Sequence, residues 1–215
     1  MMRRVVLAIV LVLGAAAAAR AQDQAPRIPW FVVDLHGSFV NFPSSQGLAD
    51  SRGLAITQLP GSAIGADVAL HVYPLRWRAV TFGIGGRVMG ARARQVPVAI
   101  GDQPPGTPVT EQFLTGAPEI SFNFGTGNGW SYISGGVGRS IWQVVPDGAD
   151  RQSADEERIQ TSDYGGGARW FIKKHLAFSF DVRVWGLKAG TPTPGFSTGA
   201  PRANLLVISA GASVK

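Results

Sequence analysis

The chain is 215 residues long and 45% hydrophobic, but only 16% of it is charged, against roughly 25% in ordinary soluble domains. It has 28 glycines, a formal net charge of +6 and no cysteine. Such a length bounds it to one domain or one barrel, and the missing thiols exclude disulfide bracing and thiolate catalysis.

Arg3 and Arg4 precede an uninterrupted apolar run from Val5 to Leu13. A small-residue stretch then leads to Ala19-Arg20-Ala21, the small-x-small pattern that a signal peptidase reads. The run is too short to cross about 30 Å of hydrocarbon as a helix. Residues 1–21 are therefore expected to be a cleavable signal peptide, and residues 22–215 the exported barrel domain. Loss of Arg3, Arg4 and Arg20 leaves 17 basic against 14 acidic residues, a net of +3. No nucleic-acid partner follows from that charge, because no basic patch is interleaved with stacking aromatics. After residue 21 no apolar run is long enough for a membrane helix, so any crossing must be made by strands.

From Trp30 onward the apolar signal has period two, the repeat of a strand with two chemically different faces. In the first segment, Trp30 to Phe42, Phe31, Val33, Leu35, Gly37 and Phe39 oppose Val32, Asp34, His36, Ser38 and Val40. In the second, Ala66, Val68, Leu70 and Val72 oppose Asp67, Ala69, His71 and Tyr73. The third, about 79–92, sets Val80, Phe82, Ile84, Gly86 and Val88 against Thr81, Gly83, Gly85 and Arg87. The fourth, about 112–124, sets Leu114, Ile120, Phe122 and Phe124 against Thr115, Glu119, Ser121 and Asn123.

Glycine dilutes the fifth segment (about 130–143) and the sixth (about 158–171). Their aromatics suggest Trp130, Tyr132 and Trp142 outward with Arg139 inward, then Tyr164, Ala168 and Trp170 outward with Arg169 inward. The seventh, about 175–187, opposes Leu176, Phe178, Phe180, Val182 and Val184 to Ser179, Asp181 and Arg183. The eighth, about 203–214, puts Leu206, Ile208, Ala210, Ala212 and Val214 on one face.

The connections alternate long and short. Long ones fall at about 43–62, 93–111, 144–157 and 188–202, and short ones at 74–78, 125–129 and 173–175. Outer-membrane barrels have short periplasmic turns and longer external loops in this alternation. Trp30, Phe31, Tyr73, Trp77, Phe122, Phe124, Trp130, Tyr132, Trp170 and Phe171 all lie beside the N-terminus or a short turn. They are expected to form an aromatic girdle on one rim. The expected fold is all-β, an eight-stranded antiparallel up-and-down transmembrane β-barrel.

The chain from 28 to 215 resembles the small outer-membrane β-barrel family, the OmpA/OmpX-like group. The likeness rests on Tyr132-Ile133-Ser134-Gly135-Gly136-Val137-Gly138, Gly166-Gly167-Ala168-Arg169-Trp170-Phe171, Asp181-Val182-Arg183 and Ser209-Ala210-Gly211-Ala212-Ser213-Val214. The resemblance implies a Gram-negative outer-membrane location after signal-peptide cleavage. It also implies contact with outer-membrane lipid and lipopolysaccharide, and passage through the barrel-assembly machinery. Family members commonly end on an aromatic that this machinery recognises; here the final residues are Val214-Lys215.

With the apolar faces toward lipid, Asp34, His36, Asp67, His71, Arg87, Glu119, Arg139, Arg169, Asp181 and Arg183 form an interior charge network. Such a network fills a small barrel and leaves no aqueous channel. No cofactor, metal or catalytic site is expected. A structural or surface-interaction role follows, with two alternatives. One is a soluble periplasmic, lipocalin-like barrel with its apolar face inward around a small ligand. The other is a lipid hydrolase built from Asp34, His36, Ser38, Asp67 and His71, for which no oxyanion hole is recognisable. The acidic run Asp147, Asp150, Asp155, Glu156 and Glu157 reads as a solvated external loop, or as a divalent-cation bridge to lipopolysaccharide.

Overall fold

The computed structural model describes residues 26–97, 106–148, 156–192 and 199–215; the predicted signal peptide and parts of three long connections lie outside them. The alternating segments form eight strands: β1 (Phe31–Asn41), β2 (Ser62–Trp77), β3 (Val80–Gln95), β4 (Val109–Thr126), β5 (Gly129–Pro146), β6 (Glu156–Phe171), β7 (Leu176–Leu187) and β8 (Ala203–Val214). Each pairs antiparallel with its neighbour in sequence, and β1 pairs with β8 to close the sheet. Closure leaves no edge strand with unpaired backbone groups, the condition for crossing a bilayer with strands. Among the described residues no helix is long and apolar enough to do so.

β4 and β5 run past their predicted apolar ends, because Val109 to Glu111 continue to pair with Pro146 to Val144. Ladder hydrogen bonds belong to the backbone and need no side-chain alternation to continue. On the short-turn side β2 and β3 are joined through Arg78 and Ala79, with Arg78 at φ 54°, as tight hairpins require. Gly127 and Asn128 join β4 to β5, and residues 172–175 join β6 to β7.

Pleating sends alternate side chains to opposite surfaces. Leu35, Val68, Ile84, Leu114, Ile120, Ile133, Val137, Phe180 and Ile208 are exposed on the outside, while Asp34, His36, Asp67, Arg87, Glu119 and Asp181 are buried inside. A soluble carrier needs the reverse arrangement, so that alternative is set aside by the orientation of the faces. Close packing of the lumen also explains certain glycines. At inward-facing Gly85 a Cβ would stand 2.1 Å from the Leu70 carbonyl oxygen and 2.7 Å from the His71 ring.

β5 is the exception to the predicted faces. Trp130, Tyr132 and Trp142 are buried in the lumen, while Ile133 and Val137 meet the outside and Arg139 is exposed on the outer face. Arg139 therefore leaves the interior network. The girdle is corrected with it. Trp30, Trp77, Phe124 and Trp170 are exposed, and Phe31 and Phe122 are half-buried, on the outer surface. Tyr73, Trp130, Tyr132 and Phe171 turn inward. An eight-stranded barrel must fill its lumen with side chains, and near the short turns it does so with rings.

The first long connection is only partly an external loop. Residues Gln46–Arg52 form α1, capped by Ser45, whose Oγ accepts from Leu48 N at 3.3 Å, and ended by Gly53 at φ 65°. Leu48 and Ala49 join Phe42, Leu59, Phe113, Trp142, Trp185 and Leu205 in a buried cluster at the long-loop end of the barrel. The helix is a plug.

Candidate functional site

The lumen has three layers. At the short-turn end Val32, Tyr73 and Trp130 pack with Ile28 and Phe171. Tyr73 meets Trp130 edge-on at 6.1 Å, and Trp130 stacks on Phe171 at 5.1 Å. At the long-loop end the α1 cluster closes the mouth. Between them lie the buried charges.

Arg169 is held bidentately by Asp34, with Nε donating to Oδ1 at 2.7 Å and Nη2 to Oδ2 at 2.5 Å. Ser213 Oγ donates to the same carboxylate at 2.5 Å. The guanidinium lies 4.0 Å over the Tyr132 ring, where cation–π attraction supplements the ion pair. Arg87 pairs with Asp67, with Glu119 at 3.0 Å and with Asp181 at 3.4 Å. Arg183 pairs with Asp163 and with Asp181 at 3.2 Å, and its Nη2 donates to Ser134 Oγ at 2.7 Å. Tyr132 Oη donates to Asp181 Oδ2 at 2.7 Å, which explains why that ring faces inward. His71 Nε2 lies 3.4 Å from Glu119 Oε2.

The buried set is thus Asp34, Asp67, Glu119, Asp163 and Asp181 around Arg87, Arg169, Arg183, His36 and His71. Asp163 was not among the expected members, although it stands six residues from Arg169 on one strand and so shares its face. Glu111 and Glu157, on the inward parity of β4 and β6, were missed likewise. Glu111 accepts from Trp142 Nε1 at 2.7 Å, while Glu157 lies 3.7 Å from Arg52 and accepts from Ala200 N at 3.0 Å. Glu157 ties the plug and a long connection to the wall, and Glu111 braces two neighbouring wall strands.

Among the described residues the acidic run does not assemble as a group. Asp147 accepts from Arg94 and Thr110 outside the barrel, Glu157 is buried within it, and Asp150 and Asp155 lie outside the described residues. Among the described residues no cluster has the makings of a metal site.

His36 Nδ1 lies 3.2 Å from Asp67 Oδ1, and its Nε2 lies 2.8 Å from Ser179 Oγ. The order carboxylate, imidazole, hydroxyl is that of an activated nucleophile. Its serine is not the one the hydrolase alternative named: Ser38 Oγ donates to Asp67 Oδ2 and meets Ser209 Oγ, both at 2.8 Å. Ser179 is wholly buried in the lumen between the aromatic cluster and the α1 plug, with its β7 neighbours paired in both ladders. A substrate has no approach, and the strand N–H groups are committed to the sheet. The relay locks polar side chains in place.

An apolar exterior, a closed antiparallel sheet and a filled, charge-paired lumen define the class: a small transmembrane β-barrel of the outer-membrane type. The sequence matches no family model, and no curated protein is similar to it in sequence. In structure the chain is similar to Neisserial surface protein A, with a TM-score of 0.54 at 12% identity over 87% of this chain and 97% of that one. At that identity the likeness is one of fold. Looser overlays are found with Ail, the attachment invasion locus protein of Yersinia pestis (TM-score 0.47, 10% identity, 86% and 95% covered). OprG of Pseudomonas aeruginosa is similar at TM-score 0.44 and 10% identity, with 89% and 97% covered.

Proposed function

We propose that this protein is an outer-membrane barrel with a structural or surface-interaction role, neither a porin nor an enzyme, working through the surface at its long-loop end. The observation that carries this reading is the lumen. Ten ionisable side chains pair across it, and clusters of large side chains close it at both ends. With no route through the interior, the surfaces left for function are the outer wall and the loop-bearing rim. Outer-membrane lipid and lipopolysaccharide are the partners this reading expects at the wall, and the barrel-assembly machinery the one it expects during insertion.

The test is spin labelling of cysteine variants in liposomes. Labels at Val68, Ile84, Ile120 and Phe180 are expected to be accessible to oxygen and shielded from a water-soluble relaxation agent. Labels there that report bulk water would overturn the membrane reading. In planar bilayers the wild type is expected to show no steady porin-sized conductance, since small barrels filled by side chains have no water channel. Stable large openings would show that the lumen is not filled.

A further inference from the structure

Basic side chains on the outer face are not spread evenly round the barrel. Arg92 and Arg94 on β3, Arg158 on β6, Lys188 just beyond β7 and Arg202 just before β8 are all exposed near the long-loop edge of the apolar belt, and Arg139 on β5 is exposed one outward position below Ile141. At the corresponding edge of β1 and β2 the outward strand residues are Asn41 and Ser62, which carry no charge. One side of the rim is therefore a cationic arc. Arg94 is engaged by Asp147 at 2.5 Å, and Lys188 Nζ donates to Gln160 Oε1 at 2.6 Å. Arg92 makes no direct ion pair but feels the Asp147 carboxylate, and Arg139 has no ion-pair partner among the described residues.

Below the arc the wall is recessed. Arg92 faces Gln112 across the β3–β4 ladder, and Gln112 faces Gln143 across the next. These three cap a trough of about 530 Å³ whose floor includes Gly90, Leu114 and Ile141. Gly116 is paired with Arg139 and with Val88, and having no side chain it adds nothing to the outer wall beside Arg139. Farther from the rim a second apolar trough of about 1020 Å³ is lined by Ile84, Ile120, Ile133, Gly135, Val137 and Tyr164. Arg139 stands two residues from Val137 on the same outward face, where the trough meets the arc.

Polar donors and cations over an apolar trough, toward the edge of a lipid-facing belt, match one kind of molecule. We propose that the outer face of β3–β6 is a binding site for a phosphate-bearing lipid of the leaflet on the long-loop side. Arg92 and Arg139 take the phosphate groups, Gln112 and Gln143 take neighbouring polar groups, and acyl chains lie in the two troughs. The proposal rests on the membrane reading above. Its force comes from position: a guanidinium at the long-loop side of an apolar belt reaches headgroups, and anionic headgroups attract it.

The experiment uses the full exported chain in phosphatidylcholine vesicles with spin-labelled phosphatidic acid or spin-labelled phosphatidylcholine as probe. The wild type is expected to hold a motionally restricted lipid shell and to prefer phosphatidic acid by roughly fivefold or more at low salt, with the preference shrinking as salt rises. The double variant Arg92→Gln/Arg139→Gln is expected to keep the shell and lose most of the preference. Lys173→Gln/Lys174→Gln, at the opposite rim, is expected to keep both. A diphosphorylated lipid should displace the probe, whereas inorganic phosphate at the same concentration should not. Equal affinity for the two probes in the wild type overturns the proposal. So does a preference that survives Arg92→Gln/Arg139→Gln, or one that inorganic phosphate abolishes. If the double variant does not fold, the salt and competition measurements on the wild type decide alone. Absence of any restricted lipid would instead overturn the membrane reading, so the two failures are distinguishable.

Discussion

Asp34→Ala is expected to destabilise the barrel by about 3–5 kcal/mol, because it leaves a buried guanidinium without its counter-charge. Arg169 donates to both oxygens of Asp34 and is itself fully buried beneath the Tyr132 ring. Water cannot replace the lost carboxylate there. The double replacement Asp34→Leu/Arg169→Met should recover most of the loss, since exchanging a buried pair for apolar side chains of similar volume is often neutral or stabilising. Arg139→Ala is the contrasting case. That side chain is exposed on the outer face, and its removal should change stability by no more than about 0.5 kcal/mol. Urea titration in vesicles, read by tryptophan fluorescence, measures all three. Equal losses for the single and double replacements would show that the pair does not act as a unit.

Ile120→Arg is expected to cost about 2–4 kcal/mol, the penalty for a charged side chain on the lipid face at mid-membrane. Ile120 is 58% exposed on β4, beside exposed Ile84 across the ladder, and its sequence neighbour Glu119 points into the lumen. Phe124→Arg, close to the short-turn rim, should cost only about 0–1 kcal/mol, because an arginine there reaches the headgroups. The depth dependence is what matters. In water an exposed isoleucine can become arginine at almost no cost, so a loss at Ile120 below about 0.5 kcal/mol would argue that the face does not meet lipid.

Most of the architecture is legible in the chain because strand chemistry is written with period two. Where a segment carries residues of clear polarity on both parities, as in Asp34, His36 and Ser38 against Leu35 and Phe39, the face follows directly. The segment that became β5 lacks that contrast. Gly135, Gly136 and Gly138 empty both parities, and along the sequence the aromatics at 130, 132 and 142 resemble lipid contacts. In the closed barrel they are what fills the lumen, and Ile133 and Val137 were the better guide. Once parity is set by Arg169, the same rule yields Asp163 and Glu157 on the inner face of β6.

By itself, then, the sequence determined the number of strands, their order, the sorting of long and short connections, and the faces of seven of the eight. These are local properties, set by alternation along each segment and by the turn residues between segments. The tertiary structure alone decided which charges meet, since Asp34 and Arg169, or Asp67, Arg87 and Asp181, come together only when closure brings distant strands round one lumen. It also decided that α1 turns into the barrel mouth instead of out to solvent. A two-turn helix has marginal stability of its own, and its apolar face is buried only against the cluster that the closed barrel provides.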